Sequence, residues 1–298
     1  MAVFRQTLMR KNMNKSFFIR LALGLACLTT FVGCETNPTA TASSAPMASP
    51  APVASPTPVA SPTPVASPTP ARRHPQFTYV IVHGAWGGGW DWKHVDQLLT
   101  ADGYKVYRPT LTGQGEHSNL ASTNIDLDTH IQDIVNVIVW EDLHDVVLVG
   151  HSYGGMVITG VADRVPDRIK HVIYLDALVP KNGECVNDIL PQRLKKPVQD
   201  GFVIPAWVTN NPPPPHDVPM PAKTFSEPIT LTNQSVAQKL PTTYILTVDA
   251  GTPDEQDDFY PFYQRAQARD WAAIIMQADH NPQRSHANGL AIVLEQMP

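Results

Sequence analysis

Short, almost continuous apolar runs alternate with amphipathic stretches from residue 77 to the C-terminus. Apolar runs that are separated by helical patterns are typical of a parallel sheet that is covered on both faces. We therefore predict an α/β domain with a mostly parallel, doubly wound sheet and helices on both faces. The predicted strands are 77–82, 105–109, 145–149, 170–175, 242–248 and 273–276, and the predicted helices begin near His94, follow Gly154, or lie at 128–140, 262–269 and 287–296.

The alternation breaks between Pro180 and Pro241, where four prolines in a row occupy 212–215. An insertion of this size between two strands is either a lid over a site or a surface elaboration. We predict a lid over about 181–240, in which Phe202, Ile204 and Trp207 supply apolar surface.

The first 34 residues contain five Lys or Arg and no acidic residue, and they end in the apolar run Leu21–Val32 followed by Gly33-Cys34. This pattern predicts a secretory signal, and the run is well short of the ~20 residues that span a bilayer. The end of the run resembles the lipidation motif of bacterial lipoproteins, although Phe31 stands where Leu is usual. We expect Cys34 to be lipidated and to become the first mature residue; an ordinary signal peptide and a start at Met13 are the alternatives.

Residues 35–74 are rich in Pro, Ala, Ser and Thr, and they repeat Pro-Val-Ala-Ser-Pro-Thr three times from 52 to 69. Such a segment has no apolar face to bury and is expected to be a disordered linker. A proline-rich ligand for a partner's aromatic groove is the alternative. Once the signal is removed and Cys34 is acylated, Cys185 is alone, so the 75–298 domain must be stabilised by its core.

The net charge of −5 includes the five basic residues of the signal. Without them, 17 basic residues face 27 acidic ones, which gives a net charge of −10. A surface this acidic argues against binding of nucleic acid or of anionic lipid headgroups. We expect an exported protein that is attached to the bacterial cell envelope through its lipid anchor alone.

The sharpest chemical signal is Gly-His-Ser-Tyr-Gly-Gly at 150–155, which lies between a predicted strand and a predicted helix. Small residues two positions before and after a Ser permit a tight turn that lifts the hydroxyl above the sheet. The pattern predicts that Ser152 is a nucleophile.

A glycine-rich segment, 83–90, follows the first strand of the domain, where acyl-transfer enzymes place backbone N–H groups for an oxyanion. We predict that the amides of Ala85 and Tyr153 form this oxyanion hole. The segment lacks the Gly-Lys-Ser/Thr ending and the spacing of nucleotide-binding loops, so no cofactor is expected, and no metal site is predicted.

A serine nucleophile requires a general base, and His280 follows the last predicted strand at the sheet edge where α/β sheets build their sites. His286 lies at the predicted start of the last helix, where a capping or packing role explains it better. The acid has two candidates. Asp176 closes a buried strand, where a carboxylate needs a partner, and it is preferred over Asp254, which follows the next strand in an acidic loop.

These motifs together resemble the α/β-hydrolase superfamily, in particular the branch of plant methylesterases, hydroxynitrile lyases and bacterial carboxylesterases. The resemblance runs from about Phe77 to the C-terminus and includes Tyr-Leu-Asp-Ala-Leu-Val-Pro at 174–180. It implies a serine hydrolase in which Ser152, His280 and an Asp form the triad, and its members leave the acid open between Asp176 and Asp254. The lyases of this branch carry Thr and Lys where this chain has Gly84 and Asn281.

We therefore expect a serine esterase that cleaves a carboxylic ester, or a related carbamate or amide, of a small apolar or aromatic molecule. A non-catalytic receptor with the same fold and a hydroxynitrile-lyase-like enzyme are the alternatives.

Overall fold

The computed structural model of the protein describes residues 77–208 and 212–297. The predicted signal, the lipidation site Cys34 and the linker at 35–74 lie outside the described residues, and they stay predictions. Among the described residues, no helix combines the length and the apolar character needed to cross a membrane.

A six-stranded sheet in which all neighbouring strands are parallel confirms the predicted fold class. Its strands are β1 (Thr78–Val82), β2 (Lys105–Tyr107), β3 (Val146–His151), β4 (Ile169–Leu175), β8 (Thr242–Val248) and β9 (Ala272–Gln277). Their order across the sheet is β2-β1-β3-β4-β8-β9, so the direction of winding reverses between β1 and β3. Ligand sites of open α/β sheets lie in the crevice at such a reversal, beyond the carboxyl ends of the strands.

The two faces of the sheet bury separate apolar cores, because successive side chains of a strand point to opposite faces. On β1, Tyr79 and Ile81 pack into one core, and Val80 and Val82 pack into the other. Burial of most side chains on the central strands β1, β3, β4 and β8 explains why they appear in the sequence as continuous apolar runs, whereas the edge strands β2 and β9 are partly exposed.

Helices cover both faces of the sheet, as predicted. Their bounds are α1 (Lys93–Ala101), α2 (Leu127–Trp140), α3 (Gly154–Arg164), α7 (Tyr260–Gln267), α8 (Pro282–Ser285) and α9 (Ala287–Glu295). The start of α2 is fixed by Asp126, whose carboxylate accepts the backbone N–H of Thr129 at 2.9 Å. Such a cap satisfies one of the free N–H groups at a helix start.

The segment 181–240 contains a small antiparallel sheet that the sequence did not predict. Its strands are β5 (Val198–Gln199), β6 (Phe202–Val203) and β7 (Met220–Pro221), and the short helices around it are α4 (Val186–Ile189), α5 (Lys223–Ser226) and α6 (Gln234–Ala237). Strands of two residues are too short to show an alternating pattern. We call 181–240 the lid segment.

Candidate active site

Ser152 lies in the sharp turn between β3 and α3, and its φ of 53° is in the left-handed region. The flanking glycines make this turn possible. A Cβ on Gly150 would lie 2.8 Å from the Gly154 carbonyl oxygen, and a Cβ on Gly154 would lie 2.7 Å from the Val82 carbonyl oxygen. Strained backbone of this kind is concentrated at functional sites, where the surroundings hold it in place.

His280 stands between Ser152 and Asp176. Its Nε2 lies 3.0 Å from Ser152 Oγ, and its Nδ1 lies 2.6 Å from Asp176 Oδ2. Because an ionised carboxylate only accepts hydrogen bonds, Nδ1 carries the proton and Nε2 presents its lone pair to the serine hydroxyl. The arrangement can therefore move a proton from Ser152 to His280.

Asp176 follows β4 and is fully buried. Its second carboxylate oxygen accepts the backbone N–H of Thr247 on β8 at 3.1 Å, and its own N–H donates to the Ile245 carbonyl at 2.7 Å. The structure thus brings Asp176 to His280, as the burial argument favoured. The alternative acid, Asp254, begins a 3₁₀ turn, Asp254–Gln256, and in the described part of the chain it makes no hydrogen bond to His280.

The two predicted oxyanion donors, Ala85 and Tyr153, line the same cavity as Ser152. His83 orients the first of them. The Leu111 N–H donates to His83 Nε2 at 3.1 Å, so the proton is on Nδ1, which donates to the Gly84 carbonyl at 2.7 Å. The Gly84 carbonyl and the Ala85 N–H belong to the same peptide unit. In a trans peptide these two groups point in opposite directions, so the hydrogen bond from His83 points the Ala85 N–H away from His83. Burial lowers the pKa of His83 to about 4, which keeps the ring neutral.

Two aromatic rings contact the imidazole of His280. The ring of Phe259 stacks on it with centroids 4.6 Å apart, and the ring of His151 lies 4.8 Å away. His151 Nε2 also donates to the backbone carbonyl of His280 at 2.7 Å, and burial holds the pKa of His151 well below its usual range. Phe259 and Thr247 were missed in the sequence, because only the order of the strands shows that they reach His280 and Asp176.

The cavity at Ser152 has a volume of about 380 Å³. One wall is apolar and aromatic and is contributed largely by the lid segment; it includes Trp86, Trp207 and Phe225. Several acids also line the cavity, among them Asp257. Burial and the nearby charge of Asp176 raise the pKa of Asp257 to about 6. A second cavity of about 370 Å³ is lined by Tyr174, Trp271 and other residues but by neither Ser152 nor His280.

Arg284 joins the lid segment to the body of the domain at the edge of the cavity. Its Nε donates to Asp91 at 2.6 Å, and its Nη2 donates to Asp217 of the lid segment at 2.9 Å. The two carboxylates hold the pKa of Arg284 above its usual range. The other Asp217 oxygen accepts the indole N–H of Trp207 at 2.9 Å.

His286, set aside as a base, precedes α9 and contacts the Ser285 hydroxyl rather than Ser152. Gly84 lies against the nucleophile, and a Cβ there would be 2.9 Å from His151 Nδ1 and 3.1 Å from Ser152 Cβ. No cluster of His, Cys, Asp and Glu suited to a metal ion occurs within 77–208 and 212–297.

Comparison with known proteins finds a match to one family over most of the described chain. Residues 79–291 match the sequence model of the alpha/beta hydrolase family. A carbendazim hydrolyzing esterase from Nocardioides sp. (strain SG-4G) is 47% identical over 126 residues, which are 42% of this chain and 52% of that protein. Pheophorbidase from Raphanus sativus is 37% identical over 108 residues, 35% of this chain and 40% of that protein. The chain therefore spans about half the length of these curated relatives, or less.

Among solved structures, a methylesterase protein from Arabidopsis has a TM-score of 0.57 and 26% identity, with 73% of this chain and 97% of that chain covered. An extracellular alpha/beta-hydrolase from a Paenibacillus species has a TM-score of 0.59 and 24% identity, covering 74% of this chain and 98% of that one. The similarity to the Paenibacillus structure shows that the two proteins share a fold.

Proposed function

The chain belongs to the alpha/beta hydrolase family, and on that premise we propose that it is a serine hydrolase that cleaves a carboxylic ester through an acyl-enzyme intermediate. The observation that carries the proposal is the continuous hydrogen-bonded series from Ser152 Oγ through both nitrogens of His280 to Asp176 Oδ2, with distances of 3.0 and 2.6 Å. A neutral serine hydroxyl is a weak nucleophile, and an oriented histidine base beside it is what acyl transfer requires.

In the first half of the reaction, Ser152 Oγ attacks the ester carbonyl carbon while His280 Nε2 takes the hydroxyl proton. The carbonyl oxygen becomes an oxyanion that accepts hydrogen bonds from the N–H groups of Ala85 and Tyr153. The imidazolium is stabilised by Asp176, and it donates its proton to the departing alkoxide, so the alcohol leaves and the acyl group stays on Ser152. In the second half, His280 takes a proton from a water molecule as the water oxygen attacks the acyl carbon. The bond from that carbon to Ser152 Oγ then breaks, His280 returns the proton to Ser152 Oγ, and the acid leaves.

Hydrolysis is favoured over a hydroxynitrile-lyase-like reaction because there is no room for a side chain at Gly84. In the lyases that this chain resembles, a Thr takes this position. Here a Cβ would approach His151 Nδ1 to 2.9 Å, so a side chain would displace either the ring or the nucleophile.

The substrate class is proposed from the cavity and from the relatives. A cavity of about 380 Å³ that is walled by Trp86, Trp207 and Phe225 suits a small apolar or aromatic ester. The carbendazim esterase and the methylesterases among the relatives extend the candidates to carbendazim and to methyl esters. Amides are the remaining related class.

The test is hydrolysis of p-nitrophenyl acetate, longer acyl esters, aromatic methyl esters and carbendazim by the wild-type protein and by Ser152→Ala. We expect Ser152→Ala to lose activity by about 10³-fold or more, since the nucleophile is removed. Covalent labelling by a fluorophosphonate should occur on Ser152 in the wild type only. Full activity of Ser152→Ala would refute the serine mechanism, and a wild type that binds aromatic esters without labelling or turnover would indicate a receptor.

We further propose that the enzyme is exported and held at the cell envelope by a lipid on Cys34. The support lies in the sequence of residues 1–34. In a bacterial host, metabolic labelling with palmitate should mark the wild type but not Cys34→Ala, and the variant should leave the membrane fraction. Equal labelling of both proteins would contradict the anchor.

A further inference from the structure

Trp86 directly follows the oxyanion donor Ala85, and its backbone adopts an unusual conformation. Its φ is 66°, in the left-handed region that side chains other than Gly rarely occupy. A bulky residue stays there only when its surroundings hold it.

The residues that hold Trp86 belong to the lid segment. Its indole Nε1–H donates to the Val203 carbonyl on β6 at 3.1 Å, and its own carbonyl accepts the Val218 N–H at 2.8 Å. Its ring lies 5.8 Å from Phe225 and meets Trp207 edge-on at 5.5 Å. The lid segment therefore holds Trp86, the residue next to the proposed oxyanion donor, through two hydrogen bonds and two ring contacts.

We propose that Trp86 is a positioning residue that couples the lid segment to the oxyanion hole. The inference rests on the proposed serine-hydrolase function. His83 fixes the peptide before Ala85 through the Gly84 carbonyl, and Trp86 fixes the peptide after it through its φ. Without the side-chain contacts to the lid segment, a non-glycine residue at 86 relaxes towards negative φ. That rotation turns the Ala85 segment and misaligns its N–H with the developing oxyanion.

Two substitutions at Trp86 separate the effect of the strained φ from the effect of the lost ring. Trp86→Ala and Trp86→Gly both remove the ring but differ in backbone preference. Gly adopts a φ of 66° without strain, whereas Ala does not. We expect kcat for p-nitrophenyl acetate to fall by about 100-fold in Trp86→Ala, the scale of losing one oxyanion donor, and by no more than about tenfold in Trp86→Gly. A residue that acted only through packing would give the reverse order, since Gly packs less and is more flexible than Ala.

A second measurement separates positioning from a mere wall of the substrate cavity. A trifluoromethyl ketone forms a tetrahedral oxyanion on the serine, and its inhibition constant should rise by the same factor as kcat falls in each variant. KM for the acetate ester should rise by a much smaller factor than kcat falls, because the small acetate ester uses little of the aromatic wall. Trp140→Ala, which removes an indole that is 86% exposed, is the matched control and should keep wild-type values. Thermal unfolding of each variant confirms that it is folded.

Equal losses of kcat in Trp86→Ala and Trp86→Gly, or a change in KM alone, would overturn the coupling while the wild type remained an active, fluorophosphonate-labelled esterase. A wild type that neither turns over esters nor reacts with fluorophosphonate would instead reject the proposed function, and with it the inference.

Discussion

Asp176 shows how burial selects one carboxylate from several at the scale of single residues. A buried charge is costly unless it is paired and hydrogen-bonded. Asp176 meets both conditions, because one oxygen accepts from His280 and the other from the Thr247 N–H. Asp254 is only partly buried and, within the portion of the chain that the structure describes, makes no hydrogen bond to His280, so it lies under no such constraint. The preference for Asp176 in the sequence followed from this single argument.

Replacing Asp176 by Asn should lower kcat by about 10³- to 10⁴-fold with a small change in KM, because an amide NH₂ facing Nδ1 favours the imidazole tautomer that cannot accept the serine proton. Steady-state hydrolysis of p-nitrophenyl acetate measures it. Asp254→Asn is the matched control and should remain within about twofold of the wild type. The opposite result for the two variants would transfer the acid role to Asp254.

Residues that depend on local pattern were predictable from the sequence, and residues that depend on strand neighbours were not. Ser152 and His280 are identified by the turn that surrounds one and by the strand that precedes the other. Thr247 and Phe259 reach Asp176 and His280 only because β8 lies between β4 and β9. The left-handed φ of Trp86 has no local cause either, since its lid contacts come from residues more than 100 positions away.

At the scale of elements, the start of α3 is packed directly against the loop that carries the acid. A Cβ on Gly155 would lie 2.1 Å from the Leu178 carbonyl oxygen and 3.0 Å from Ala177 Cβ. The same loop is tied to the nucleophile, because the Leu178 N–H donates to the Ser152 carbonyl at 3.0 Å. Helix α3 and the end of β4 therefore set the spacing between Ser152 and Asp176.

Gly155→Ala should destabilise the protein by about 1–3 kcal/mol, since the backbone carbonyl of Leu178 has to move to admit the methyl group. Activity should fall as well, because the displaced loop carries Asp176. Gly289→Ala on α9 is the control. Its Cβ would have only Met276 Cε at 3.5 Å, so the change should be neutral or should stabilise by up to about 1 kcal/mol. Urea unfolding distinguishes the two, and equal effects would show that α3 tolerates a side chain at 155.

The large elements were predictable because each buries enough side chains to leave a pattern in the sequence. Strand β9 extends from Ala272 to Gln277, one residue beyond the predicted 273–276 at each end. The strands of the lid segment are two residues long and are defined by pairing alone, as in Phe202 with Pro221. No periodicity exists over that length, so the small sheet could be found only in the structure.

At the scale of the whole molecule, the site results from the parallel sheet, which places all the carboxyl ends of its strands at one edge. The oxyanion segment follows β1, Ser152 follows β3, Asp176 follows β4 and His280 follows β9. The winding reverses between β1 and β3, so Ser152 and the segment 83–90 face the same crevice. The lid segment, inserted between β4 and β8, contributes the wall above them.

Buried neutral histidines make the stability of the whole domain sensitive to acid. Burial lowers the pKa of His83 and of His130 to about 4, and it lowers that of His151 well below 6.5. Between pH 6.5 and about 4 the unfolded chain binds protons at these rings and the folded chain does not, so stability falls as the pH falls. Asp257 acts in the opposite direction. Its pKa is raised to about 6, so the folded state binds the extra proton between about 4 and 6 and offsets part of the loss.

The histidine contribution can be isolated at His130, which is fully buried, with Nε2–H donating to the Thr112 carbonyl and Nδ1 accepting from the Tyr153 hydroxyl, both at 3.0 Å. His130→Gln should be less stable than the wild type at pH 7.5, because Gln cannot reproduce both bonds. Its deficit should shrink by up to about 1.4 kcal/mol for each pH unit between 6.5 and 4, since the variant has no ring to protonate on unfolding. Urea unfolding at pH 7.5, 6.0 and 5.0 measures this slope. A His130→Gln slope parallel to the wild type would mean that the His130 ring binds its proton at the same pH in the folded and the unfolded protein.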